Sequence, residues 1–125
     1  MGIRLLLDTN SIIALLNENA GVIDAIDTAD DIFISIINEL EFKSFSNLSL
    51  NDMKLFDAFV AGVTVLDLQA SNITLKSKII EIRNIYKLKL PDAIIAASAI
   101  INNAVLVTAD KEFKKVEELQ LRLIA

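Results

Sequence analysis

The sequence contains neither cysteine nor histidine. Without cysteine there is no disulfide, no thiol nucleophile and no cysteine-ligated zinc. Without histidine there is no serine-type triad, no imidazole general base and no histidine-bound metal. Any chemistry must then fall to Asp, Glu, Lys, Ser, Thr and Tyr. Carboxylates in such a chain suit hard, oxygen-seeking cations such as Mg²⁺ and Mn²⁺. Long hydrophobic runs are missing too. The longest candidate, residues 93–101, is interrupted by Ser98 and followed by Asn102-Asn103, well short of the ~20 residues that span a bilayer. The start, Met1-Gly2-Ile3-Arg4, runs straight into a strand-like segment without the features of a signal peptide. A reducing, cytoplasmic setting without a membrane partner is therefore expected.

Positive charge is also scarce, with 12 Lys and Arg against 17 Asp and Glu and a formal charge of −5. That sign is unfavourable for binding nucleic acid, but its distribution is uneven. Residues 1–75 carry 3 basic and 11 acidic side chains, whereas residues 76–125 carry 9 basic and 6 acidic ones. The second half thus supplies either an ordinary solvated surface or a basic rim, with Lys76, Lys78, Arg83, Lys87 and Lys89, beside an acidic pocket.

Apolar residues are abundant, at 54% of the chain with a mean hydropathy of +0.52. The 125 residues fit one domain, residues 1–125, with one core. The apolar excess points to a fully covered core and to a homodimer or larger assembly.

Short apolar runs at residues 3–7, 32–35, 63–66 and 104–107 read as buried strands, with a weaker fifth at 121–124. Helical segments fall between them, at about 12–16, 20–29, 37–46, 50–61 and 70–86. Ser49 and Asp52 resemble a capping box, and Gly62 is a stop signal. Pro91 suits the first helical position, with Asp92 in the first turn of a nearly all-apolar helix over 93–101. Unalternated strands that alternate with helices predict an α/β three-layer sandwich around a mainly parallel, roughly five-stranded sheet. Ligands of such sheets bind beyond the carboxyl ends of the strands.

Several acids converge on that edge. Asp8 follows the first strand, Asp110 follows the fourth, and Glu39 and Glu41 come after the second. Asp92 opens the most buried helix. Singly, each has an ordinary role as a turn, cap, dipole partner or solvated residue. Together they repel, and a divalent cation relieves that repulsion. A metal held in this way supplies hydroxide near neutral pH and offsets charge on a phosphoryl group, with either one ion or two.

The chain resembles the PIN-domain family, and within it the VapC-type toxins of toxin–antitoxin pairs. The likeness rests on Leu7-Asp8-Thr9-Asn10, on the segment from Ser35 through Glu39 to Glu41, on Leu90-Pro91-Asp92-Ala93, and on Thr108-Ala109-Asp110 with Lys111-Glu112-Phe113 after it. It implies a PIN-like fold, a Mg²⁺- or Mn²⁺-dependent endoribonuclease acting on RNA, a homodimer and a cognate antitoxin. The catalytic and metal-binding set it implies is Asp8, Glu41, Asp92 and Asp110. The spacing from Ser35 favours Glu41, with Glu39 as the alternative. Asn10 and Thr108 take supporting hydrogen-bond roles, and Lys87, Lys89 and Lys111 are candidate RNA contacts. Two features depart from the pattern or extend it. A glycine often found soon after the second-motif glutamate is absent, with Lys43-Ser44 near its place, and Glu112 offers a further carboxylate. Two other readings stay open, a non-catalytic PIN-fold interaction module and an Asp-dependent phosphatase. The phosphatase reading suffers because Asn10 stands where a second acid would be needed.

Overall fold

The computed structural model describes residues 2–124; Met1 and Ala125, the ends of the expected domain span, lie outside them. Five strands form one sheet, β1 (Arg4–Leu7), β2 (Asp31–Ser35), β3 (Thr64–Leu66), β4 (Val105–Thr108) and β5 (Leu121–Leu123). The spatial order is β3-β2-β1-β4-β5, and every pairing is parallel. β1 is central, with Leu5 opposite both Ile32 and Val105. The expected five-stranded α/β fold is therefore present, with a sheet that is wholly rather than mainly parallel.

Six α-helices connect the strands, α1 (Thr9–Leu16), α2 (Ala20–Asp27), α3 (Ile36–Lys43), α4 (Leu50–Val60), α5 (Ile73–Tyr86) and α6 (Leu90–Ile101). The period-two pleat of the strands sends alternate side chains to opposite layers. Leu6 and Leu106 join a cluster with Ile82, Leu88 and the alanines of α6. Leu5, Leu7 and Val107 join another with Ile12, Ala25, Phe42 and Phe56. Because both faces of the sheet are covered, its strands are continuous apolar runs. Helix α6 is buried along most of its length, from Ala93 to Ala99, so it can dispense with a polar face.

Local polar groups set the element ends. The Ser35 side chain caps α3 while Asn38 reaches back to the Ser35 N–H at 2.8 Å, so the helix starts directly from the strand. The Ser49–Asp52 capping box forms as the sequence suggests. Helix α5 starts at Ile73 rather than at about residue 70, because Asn72 accepts a hydrogen bond from the Leu75 N–H at 3.1 Å and fixes the start there. Lys89 is the cap of α6, so Pro91 occupies the second helical position rather than the first; there, too, its missing N–H costs no helical hydrogen bond. β4 is shifted one residue along and includes Thr108.

Candidate metal centre

The parallel sheet brings the carboxyl ends of β1, β2 and β4 to one edge. Asp8 follows β1 there and caps α1, accepting from the Ser11 N–H at 2.9 Å. The Ser11 hydroxyl donates to the Val107 carbonyl at 2.6 Å, which fastens the start of α1 to β4. Thr108, the last residue of β4, is fully buried and donates its hydroxyl to the second Asp8 carboxylate oxygen. The same Thr108 oxygen accepts from the Asp110 N–H at 3.0 Å. Thr108 thus links two acids that are 102 positions apart in the chain. Asp110 in turn caps a 3₁₀ turn, Lys111–Lys115, accepting from the Glu112 N–H.

Glu41 approaches from α3. It accepts the Thr9 hydroxyl at 2.9 Å, and the Asn38 amide donates to that hydroxyl oxygen at 3.3 Å. Asp92 enters from the first turn of α6. Asp8, Glu41, Asp92 and Asp110 line one cavity of about 230 Å³, together with Thr9, Asn10, Phe45, Ile95 and Phe113. Glu39 does not line this cavity. Two positions from Glu41 on a helix, it points elsewhere.

Charge in this cavity is costly. Burial pushes the Asp8 carboxyl above the ordinary aspartate range, against the hydrogen bonds from Thr108 and Ser11; Asp110 adds to the rise. Burial also raises Asp92, helped by the charges of Asp110, Glu41 and Asp8 and opposed by Lys89. Mutual repulsion is therefore real, but desolvation is the larger cause for both groups. The donor set of four carboxylates fits a hard divalent cation. Among the described residues, however, no three acids stand grouped as a ready-made metal cage.

The remaining predicted residues are more dispersed. Asn10 lines the cavity but does not cap α1, because Asp8 takes that place. Lys87 and Lys89 border a neighbouring cavity, together with Glu112. Lys111 is exposed on the 3₁₀ turn and lines neither cavity. Glu112 forms an ion pair with Lys115 at 2.9 Å. Thr9 and Asn38, which hold Glu41, carried no assigned role in the sequence. Their only sequence signal was their place inside the motif segments.

The sequence profile of the PIN domain family matches residues 5–119. No curated protein matches the sequence. Among solved structures, the fold is similar to that of VapBC2 from Rickettsia felis bound to a DNA fragment from their promoter. The identity is 24%, with 98% of this chain and 100% of that chain covered and a TM-score of 0.83. VapBC-1 from nontypeable Haemophilus influenzae is also similar, at 24% identity, 97% and 98% coverage and a TM-score of 0.79. PAE2754 from Pyrobaculum aerophilum is similar at 18% identity, 97% and 92% coverage and a TM-score of 0.69. At these identities the likeness is one of fold.

Proposed function

Because the chain belongs to the PIN domain family, we propose that it is a metal-dependent endoribonuclease and the toxin of a toxin–antitoxin pair. The observation that carries this reading is the single cavity lined by Asp8, Glu41, Asp92 and Asp110, each from a different part of the chain. A bound Mg²⁺ or Mn²⁺, as one ion or two, would lower the pKa of a water and offset charge on the phosphoryl oxygens.

The protein's own part is to hold the four acids as ligands. Burial disfavours the charged forms of Asp8 and Asp92, a cost that a cation would offset. Thr108 fixes Asp8 and the Asp110 backbone, and Thr9 fixes Glu41. Ligands locked by neighbouring hydrogen bonds bind and orient better than free ones. Asn10, on the cavity wall, is a further supporting group. Lys87, Lys89 and Lys111 are the proposed RNA contacts, of which Lys87 and Lys89 border the neighbouring cavity.

The reading extends to a single domain over residues 1–125, a homodimer, a cognate antitoxin and a cytoplasmic location. Support for the antitoxin comes from the VapBC complexes among the similar folds. Exposed Ile73, Ile80, Ile85 and Leu90 on α5 and α6 support a self-association surface. No helix among the described residues is long and apolar enough to cross a membrane.

One observation favours a second reading, that of a non-catalytic interaction module: among the described residues no three acids stand as a preformed cage. A single experiment decides between them. Purified protein is incubated with total RNA in Mn²⁺, in Mg²⁺ and in EDTA, beside Asp8→Asn. Cleavage by the wild type in metal alone supports the nuclease. Intact RNA in every lane supports the module.

A further inference from the structure

A second cavity, of about 310 Å³, opens beside the first and shares Asp92 and Asp110 with it. Its other walls are Lys87, Leu88, Lys89 and Glu112. Leu88 is buried in the core, while the lysines on either side of it are exposed. Lys87 ends α5 in the left-handed conformation, with φ 58°, which is uncommon for a residue other than glycine. The left-handed turn and the buried Leu88 fix one short segment from which both lysines border the cavity.

Neither lysine stands in an ion pair among the described residues, although the charge of Lys89 is felt at Asp92. Glu112 is already engaged by Lys115 at 2.9 Å. No other cation lines either cavity. Among the described residues, Lys87 and Lys89 are therefore the only positive side chains lining these two cavities.

We infer that this second cavity is a phosphate subsite, in which Lys87 and Lys89 bind the phosphodiester next to the one cleaved in a single-stranded RNA. The inference rests on the nuclease reading above. An RNA strand approaching four carboxylates meets repulsion, which the two lysines of the adjoining cavity oppose. Binding its adjacent phosphate here would recover attraction and set the strand's register over the acids. A flexible single strand can bend its backbone between two adjoining cavities, which a stacked duplex resists.

The test is a double variant, Lys87→Asn with Lys89→Gln. Asparagine tolerates the left-handed conformation, and the Lys89 side chain makes no capping hydrogen bond to α6. Steady-state cleavage of a fluorescent single-stranded oligoribonucleotide is followed in Mn²⁺ across a series of KCl concentrations. Mn²⁺ affinity is measured separately from the thermal shift. The expected loss falls on KM rather than kcat. The slope of log(kcat/KM) against log salt becomes shallower by about 0.7, the value for one phosphate contact on a single strand. An active variant with an unchanged slope and tighter Mn²⁺ binding would show the lysines to be internal counter-ions of Asp92 and overturn the subsite alone. A wild type that cleaves no RNA in Mn²⁺ would overturn the nuclease reading, and the subsite with it.

Discussion

The Thr9 hydroxyl donates a 2.9 Å hydrogen bond to Glu41 across 32 positions of sequence. It thereby joins the first turn of α1 to the second turn of α3, and with it the edge of β1 to the edge of β2. Asn38, fully buried, donates to the same hydroxyl oxygen and anchors the N-terminus of α3 through Ser35. Glu41 is thus the glutamate tied to the acid-lined cavity.

This arrangement separates two neighbouring acids. Glu41→Gln is expected to lower kcat/KM for RNA by about 10²-fold or more, the scale for losing one preorganised charged group. Glu39→Gln should stay within about twofold of wild type, as a change outside the site does. Cleavage assays on both variants check this. Loss confined to Glu39→Gln would reverse the assignment.

The support of Glu41 can be tested without removing it. Thr9→Val deletes the donor and should cost roughly 10-fold in activity or metal affinity. Thr9→Ser keeps the hydroxyl and should restore most of the loss. A defect in Thr9→Ser without one in Thr9→Val would mean that the Thr9 methyl, rather than its hydroxyl, matters.

Thr108→Val makes a different prediction. It leaves one oxygen of the buried Asp8 carboxylate without its Thr108 donor, while the Ser11 N–H still serves the other, and the Asp110 N–H without its acceptor. A buried group left unsatisfied costs about 1–3 kcal/mol. Urea unfolding should show that loss, and the Mn²⁺-induced rise in melting temperature should shrink in the same variant. Wild-type stability in Thr108→Val would mean that the linkage contributes little.

Most of the architecture was legible in the sequence because burial wrote it there. The runs Leu5-Leu6-Leu7 and Val105-Leu106-Val107 have no polar face, since helices cover both sides of the sheet. Helix ends were less legible. The start of α5 depends on Asn72 engaging the Leu75 N–H, a local hydrogen bond that the apolar pattern does not reveal. The acids could be assigned to one edge because strand order and direction follow from β/α alternation. The links Thr9–Glu41 and Thr108–Asp8 could not be read, because they join residues 32 and 100 positions apart and depend on side-chain direction. The sequence also suggested mutual repulsion as the main strain in the cluster, whereas burial is the larger cause for both Asp8 and Asp92.

That strain has a pH signature. The folded protein holds the Asp92 proton to higher pH than the unfolded chain does, because the pKa is raised. Stability from this group is present below the ordinary aspartate range and is lost as pH rises through the raised value. Without metal, the wild type should therefore lose more stability than Asp92→Asn as pH rises above the ordinary aspartate range. Denaturation midpoints in EDTA give the comparison, and parallel curves would count against a strained Asp92.

Self-association follows from the exposed Ile73, Ile80, Ile85 and Leu90. Light scattering at micromolar concentration should give the mass of a dimer or larger assembly. Ile80→Lys, a change at a residue that is 59% exposed, should shift the equilibrium towards monomer without unfolding the chain. A monomeric wild type would remove the assembly from the account.

The central claim, that the four acids form one metal site, is tested most directly at Asp110. Asp110 also caps the 3₁₀ turn, and asparagine caps about as well as aspartate. As a cap alone, Asp110→Asn should therefore be nearly neutral with or without metal. As a member of a crowded carboxylate cluster, the same change relieves repulsion. Thermal unfolding of both proteins is measured in EDTA and in Mn²⁺. The account predicts that the variant melts higher than wild type in EDTA, and that Mn²⁺ stabilises wild type far more than the variant. Equal melting temperatures in EDTA together with equal shifts in Mn²⁺ would contradict it.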